Sequence, residues 1–264
     1  MKALILSDLH LNHWSYDRNV KLIDIVNSSG ADCILCAGDM DSVNNLHDWS
    51  LFLKALRIPM FYVMGNHDFY GSSIKEAPAT LAEYATLHPY FNFLNNSVAT
   101  FRDYIIIGSP LYTDFNLYGK GPIESVDPKY RGIADFDSIR ENEYEVCGTI
   151  IPRDYVLLHL KSKEFIKNTI EANPDKKLIV LTHWMPSPRC ISLKFAGDSY
   201  NPYFATNCDE LFYLNESVKY WVYGHTHETN RLEINTTTCI CNPRGYPGEM
   251  KNWNSTNFIV DIPE

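Results

Sequence analysis

Eight residues of types that bind metal ions or move protons stand at the ends of short apolar runs. Asp8 and His10 follow Lys2–Leu6, Asp39 follows 33–37, and Asn66 and His67 follow 60–64. His183 follows Lys177–Leu181, and His225 and His227 follow 220–223. A single aspartate after a strand is ordinarily a turn or cap residue. Here that explanation has to be invoked eight times at one sheet edge, with five of the chain's nine histidines among the eight. Carboxylates, imidazoles and one amide oxygen suit six-coordinate borderline cations: manganese first, with iron, nickel, cobalt or zinc as alternatives. An all-oxygen set would favour magnesium or calcium, and thiolates a closed structural zinc. Two divalent ions ~3.5–4 Å apart generate hydroxide at neutral pH and clamp a phosphoryl oxygen. Such a pair needs a bridging carboxylate, and Asp39, between the other motifs, is the expected one. His67, directly after Asn66, would lie just outside the ions, placed to hold a substrate oxygen and protonate a departing alkoxide.

The elements that must position these groups are legible in the hydrophobic pattern. The first seventy residues alternate runs apolar at every position with helical stretches, one through Val20, Ile23 and Val26 and one through Trp49, Leu53 and Leu56. Such runs read as strands covered on both faces, joined by βαβ crossovers, with ligands expected at their C-terminal edge. A helix over 79–87, strands at 91–94, 98–101 and 104–107, and a hairpin at Arg102-Asp103 follow. From Pro110 the chain is rich in Gly, Pro, Tyr and charge, and is expected to cross the sheet edge, partly helical around 138–146. A helix over 152–172 leads to a fourth edge-pointing strand, Lys177–Leu181. The runs 232–234, 238–241 and 258–262 suggest a second, more antiparallel sheet. The expectation is one α/β domain spanning 1–264, with an irregular and helical excursion over about 110–175.

Composition bounds the partners. The 264 residues carry 23 Lys+Arg against 32 Asp+Glu, a formal charge of -9, with 45% hydrophobic and 13% aromatic residues. This is a globular profile, able to bury roughly three-quarters of its extended surface. It argues against an extended duplex nucleic-acid footprint. No run approaches a membrane span, and the N-terminal apolar stretch is too short for a signal peptide. Seven cysteines, an odd number, fit reduced thiols in a cytoplasm better than a disulfide framework. Two divalent ions would raise the formal balance to about −5 and make the mouth of the site locally positive.

Asp8-Leu9-His10, Gly38-Asp39, Gly65-Asn66-His67-Asp68, Thr182-His183 and Gly224-His225-Thr226-His227, in this order, resemble the calcineurin-like metallophosphoesterase superfamily, in its small phosphodiesterase-like branch. The motifs cover residues 8–227. The resemblance implies a two-sheet β-sandwich flanked by α-helices, four layers α/β/β/α, with a dinuclear site at one edge. It implies one ion on Asp8, His10, Asp39 and His227, the other on Asp39, Asn66, His183 and His225, and His67 as proton donor. The implied reaction is hydrolysis of a phosphodiester of a small molecule or nucleotide by a metal-generated hydroxide. A broad phosphomonoesterase, a nuclease and a non-catalytic module of the same fold are the successive alternatives.

Several positions depart from the family pattern or carry alternatives. Many members have an acid three places after the bridging aspartate; Ser42 stands there, with Asp41 one place earlier. Asp41, Asp68 or a backbone carbonyl is therefore the candidate to orient His67. Trp184 replaces a frequent second histidine and offers either a stacking surface or packing. Asp41-Ser42-Val43-Asn44 lacks the Arg-Gly pair of protein Ser/Thr phosphatases, which disfavours a phosphoprotein substrate. His13 in the first loop, Arg189, and Arg244 in Asn242-Pro243-Arg244-Gly245-Tyr246 are candidate substrate contacts, the arginines through a bidentate grip on phosphate. The aromatic segment 200–204 reads as core rather than pocket wall.

Overall fold

The computed structural model describes residues 1–119, 127–141, 148–250, 253 and 258–263. Its first four strands, β1 (Lys2–Leu6), β2 (Cys33–Cys36), β3 (Met60–Tyr62) and β4 (Phe91–Phe93), lie parallel and in order. Helices α1 (Tyr16–Asn27), α2 (Leu46–Ala55) and α3 (Glu76–Leu87) connect them. A second sheet follows, ordered β5 (Ser97–Phe101), β6 (Tyr104–Gly108), β7 (Lys177–Leu181), β8 (Val218–Tyr223), β10 (Thr237–Cys241) and β9 (Asn230–Ile234). Its inner strands β6, β7, β8 and β10 are parallel, and β5 and β9 pair antiparallel at its edges. The chain ends with β11 (Ile259–Asp261), antiparallel to β1.

Period-two geometry explains why these strands are apolar throughout. In β1, Ala3 and Ile5 face the other sheet with Ile106, Ile179, Leu181, Val222 and Ile240, while Leu4 and Leu6 face the helices with Leu22, Val26, Phe52 and Leu53. On the far side, Val180, Trp221 and Cys239 pack against Ile166 and Ile170 of α5 (Pro152–Glu171). The result is two mixed sheets face to face with helices outside both. No helix of the described residues is long and apolar enough to cross a membrane.

Two expectations are corrected. Lys177–Leu181 does not extend the first sheet: the ligand-bearing strands divide between two sheets, whose C-terminal ends share one edge. Run 258–262 joins the first sheet, not the second, because its alternation pairs with the open side of β1. Within the excursion, α4 (Asp135–Ser138) is shorter than the helix expected over 138–146, and 142–147 lie outside the described residues.

Candidate metal centre

β1, β2 and β3 of one sheet and β7 and β8 of the other deliver the eight residues to a common edge. Three groups there have ligand atoms within 4.8 Å of one another: Asp8, His10 and His227; His10, Asp39 and His67; and Asp39, His183 and His225. His10 Nε2 and His227 Nε2 are 3.0 Å apart, and His227 Nε2 is 3.5 Å from Asp8 Oδ1. His183 Nε2 lies 3.4 Å from Asp39 Oδ2 and 3.3 Å from Asn66 Oδ1, and His10 Nε2 is 4.0 Å from the same Asp39 oxygen. Asp39 thus faces both clusters through one oxygen, while its Oδ1 accepts the His67 N–H at 2.9 Å.

The strand ends achieve this with unusual backbone. Asp8 (φ 50°), His10 (43°), Asp39 (57°), His225 (69°) and His227 (47°) are all left-handed, a region that Asp and His enter more readily than most residues. Gly38, at φ 88°, also packs so closely that a Cβ would lie 2.7 Å from His183 Nδ1. At Gly65 a Cβ would penetrate the Asp39 carboxylate. These glycines are in the motifs because the ligand loops touch.

Two of the rings and the Asn66 amide are aimed by partners behind them, the arrangement that fixes tautomers in metal sites. His183 Nδ1 meets the Ala37 carbonyl at 2.6 Å, and His227 Nδ1 meets Glu249 Oε2 at 2.8 Å. The Asn66 amide nitrogen donates to Asp135 Oδ1 (2.8 Å) and the Tyr203 hydroxyl (3.2 Å), which turns its oxygen toward His183. Asp135, fully buried, also accepts from Tyr70 (2.7 Å), Tyr155 (2.9 Å) and Tyr203 (2.7 Å). The donors fit cations: His10 Nε2 and His227 Nε2 lie 3.0 Å apart beside the Asp8 and Asp39 carboxylates, and His225 Nε2 is buried without a hydrogen-bond partner, a state that a neutral imidazole rarely tolerates. The electrostatics agree. Burial pulls His183 and His227 down, but the carboxylates of Asp39 and Asp8 respectively outweigh it and leave each at about 9. Burial lowers His10 to about 3 and pushes His225 well below its ordinary value. Burial would raise Asp8, yet hydrogen bonding and charge from His227 bring it to about 2.

The structure gives His67 a partner outside the three expected. Among the described residues, its Nε2 is hydrogen-bonded to the Tyr246 hydroxyl, 3.1 Å away, and its ring lies 4.4 Å from that of Tyr70. The Asp68 carboxylate is directed elsewhere: it accepts the N–H groups of Gly65, Asp39, Met40 and Asp41 and the Tyr62 hydroxyl, knitting two ligand loops together. Asp41 accepts from Ser42 N–H and Asn45.

The cavity over the cluster holds about 350 Å³ and is lined by Ile133, Ala134, Tyr70, Tyr203, Phe204 and Tyr246 above the His and Asp floor. Tyr203 and Phe204 are thus pocket wall as well as core, against the reading of 200–204 as core alone. Trp184 is fully buried against His183, His225 and Tyr112 and offers no surface for stacking. The Arg244 guanidinium points inward, bonded to Leu9 O, Arg18 O and Asn19 and stacked over Trp14, so it braces the first loop instead of reaching phosphate. Arg189 is paired with Asp209 outside the cavity lining. His13 sits exposed at the rim, its ring 4.8 Å from Tyr246.

Sequence reasoning passed over Tyr246, Glu249, Asp135 and Tyr203. The signals in the sequence were the Asn242–Tyr246 stretch, in which the phenol and not the arginine faces the site, and the aromatic segment 200–204.

Residues 1–229 match the sequence profile of the calcineurin-like phosphoesterase family. An uncharacterized protein of Acanthamoeba polyphaga mimivirus is 27% identical over 217 residues, covering 76% of this chain and 72% of its own. Among solved structures, the phosphopantetheinyl hydrolase PptH of Mycobacterium tuberculosis superposes with a TM-score of 0.71 at 15% identity, over 99% of this chain and 95% of that one. A dimetal phosphatase from Danio rerio gives 0.55 at 12% identity, over 91% and 86%.

Proposed function

The chain belongs to the calcineurin-like phosphoesterase family, and from that premise we propose that it hydrolyses a phosphodiester of a small molecule or nucleotide at a two-ion centre. The observation that carries this reading is the Asp39 carboxylate facing both the His10 and the His183 clusters, beside the buried His225 Nε2, which has no protein partner. Asp8, His10, Asp39 and His227 would hold one ion, and Asp39, Asn66, His183 and His225 the other. Manganese suits these donors best, with iron, nickel, cobalt or zinc compatible. When bound, the ions supply a hydroxide nucleophile and positive charge for the phosphoryl oxygens.

The chain's own residues do the rest. Ala37 and Glu249 hold His183 and His227 with their Nε2 atoms toward the cluster. Asp135 and Tyr203 hold Asn66 with its oxygen inward. His67, partly exposed in the cavity and held by Tyr246, protonates the leaving alkoxide. The diester preference is supported by the described lining: beside Asp39, Asn66 and Thr226 it is histidine, tyrosine and apolar, with no lysine or arginine. A monoester dianion asks for more positive charge than a diester monoanion. Tyr246 and Glu249 lie beyond residue 229 yet complete the site, which supports treating 1–264 as one functional unit. The six described cysteines are buried free thiols, in keeping with a cytoplasmic setting.

Metal analysis of protein purified without chelators, paired with hydrolysis of aryl mono- and diesters in manganese, tests this. The expected outcome is two ions per chain and diester turnover, with His67→Ala keeping both ions and losing about 100-fold or more in rate. Low metal after manganese incubation, with no hydrolysis of any ester, refutes the reading.

A further inference from the structure

Beside the metal-site cavity lies a second one of about 270 Å³, walled by Met185, Ile191, Phe195 and Phe204, with Asp198 and Asn201 also lining it. The two cavities share Phe204 and Thr226. Thr226 stands between His225 and His227, and the Phe204 ring lies 4.9 Å from that of His225. A group seated in the second cavity therefore reaches the candidate metal cluster across one side chain.

Its chemistry differs from that of the metal site. Four of its seven lining side chains are large and apolar, and none is cationic, so it suits an uncharged group and not a second phosphate. The walls are built in place. Buried Asn201 donates to the Phe195 carbonyl at 2.8 Å, and Lys194, next to Phe195, pairs with Glu228 just past the His227 motif. Met185 is bridged to Ala205, directly after Phe204. An apolar cavity of roughly 150 Å³ accepts benzene, so the observed 270 Å³ has room for a fused bicyclic ring.

We propose that this cavity receives an apolar, aryl-sized arm of the ester, so that the protein selects phosphoesters bearing such an arm over those of small polar alcohols. The proposal rests on the phosphoesterase reading, and its test separates the two. Binding of 1-naphthylphosphonate and methylphosphonate, each non-hydrolysable and single-armed, is measured by calorimetry on the manganese-loaded full chain. The naphthyl compound is expected to bind at least about tenfold more tightly. In Phe195→Ala, which removes a wall, and in Ile191→Trp, which fills the space, the ratio falls toward one. A wild-type ratio near one overturns the subsite, as does a ratio that neither variant moves. A preserved ratio in a protein that hydrolyses no ester supports the subsite and fails the hydrolytic reading instead.

Discussion

Loading the metal-free protein with manganese is expected to expel about two protons at pH 7.5, and the structure assigns them to His183 and His227. Each is held at about 9, His183 chiefly by Asp39 and His227 by Asp8 and Glu249, in both cases against the opposing effect of burial. At pH 7.5 a group with that value is about 97% protonated, and it must lose the proton to coordinate. His10 and His225 are held low by burial and are already neutral, while Asp8 and Asp39 are already ionised, so none of these contributes. The sign follows from the direction of the shifts. Both histidines lie above the free value of 6.5, so their ion pairs stabilise the metal-free fold fully below pH 6.5 and are lost as pH rises through about 9. Proton release should therefore be about two at pH 7.5, about one near pH 9, and close to zero above pH 10. Calorimetric titration in buffers of different protonation enthalpy reads the number directly. Ionisation of water at the ions would add protons that increase with pH, opposite in slope to the histidine contribution. Glu249→Gln, which removes the carboxylate behind His227, should lower the release at pH 8. Zero release at pH 7.5, or a count that stays flat to pH 10, would show that these imidazoles are not the ligands displaced from their carboxylate partners.

Two further outcomes test the groups that aim the site. Tyr246→Phe removes the hydroxyl at His67 Nε2; kcat should fall about 3- to 10-fold, the worth of one hydrogen bond, with KM and metal content unchanged, and an unaltered kcat refutes the positioning role. Asp135→Asn replaces the acceptor of four buried hydrogen bonds with a group that also donates; the expected loss is about 2–4 kcal/mol, or roughly 5–10 °C in Tm for a chain of this size. The same variant should weaken by about 10- to 100-fold the binding of the ion proposed for Asn66, and a protein that melts and binds metal like wild type contradicts the network.

The eight strand-end residues were legible because the sheet edge concentrates them: each follows an unmistakable apolar run, and the structure brings all eight together. What was not legible has two physical causes. A strand packed between an opposite sheet and a helix layer is apolar on both faces, so β1 and β7 look alike in sequence although they belong to different sheets. The groups behind the ligands carry no run to mark them. Tyr246 and Glu249 come from a loop just after β10, and Asp135 from a four-residue helix in the excursion, so only tertiary placement reveals them. Tyr203 reads as core because it is buried; its hydroxyl and those of Tyr70 and Tyr155 become informative once Asp135 is known to sit at their centre.

Five candidate ligand residues in left-handed backbone carry a cost of about 1–2 kcal/mol each, somewhat less for aspartate, and together this is comparable to the whole net stability of a typical domain. Such strain persists only where surrounding structure over-determines it, and here the determinants can be named. Asp68 gathers four backbone N–H groups from the Gly38 and Gly65 loops, Asp8 accepts the His225 N–H, and Arg244 ties the first loop to α1 through Asn19. All three act on backbone or on loops and leave His10 Nε2 and His227 Nε2 facing each other, 3.0 Å apart. The protein thus holds four imidazoles and two carboxylates converged by the fold itself, in an arrangement that their mutual desolvation opposes. An edge where two sheets end together is suited to this, because both can brace the same few loops from below while the face above stays open.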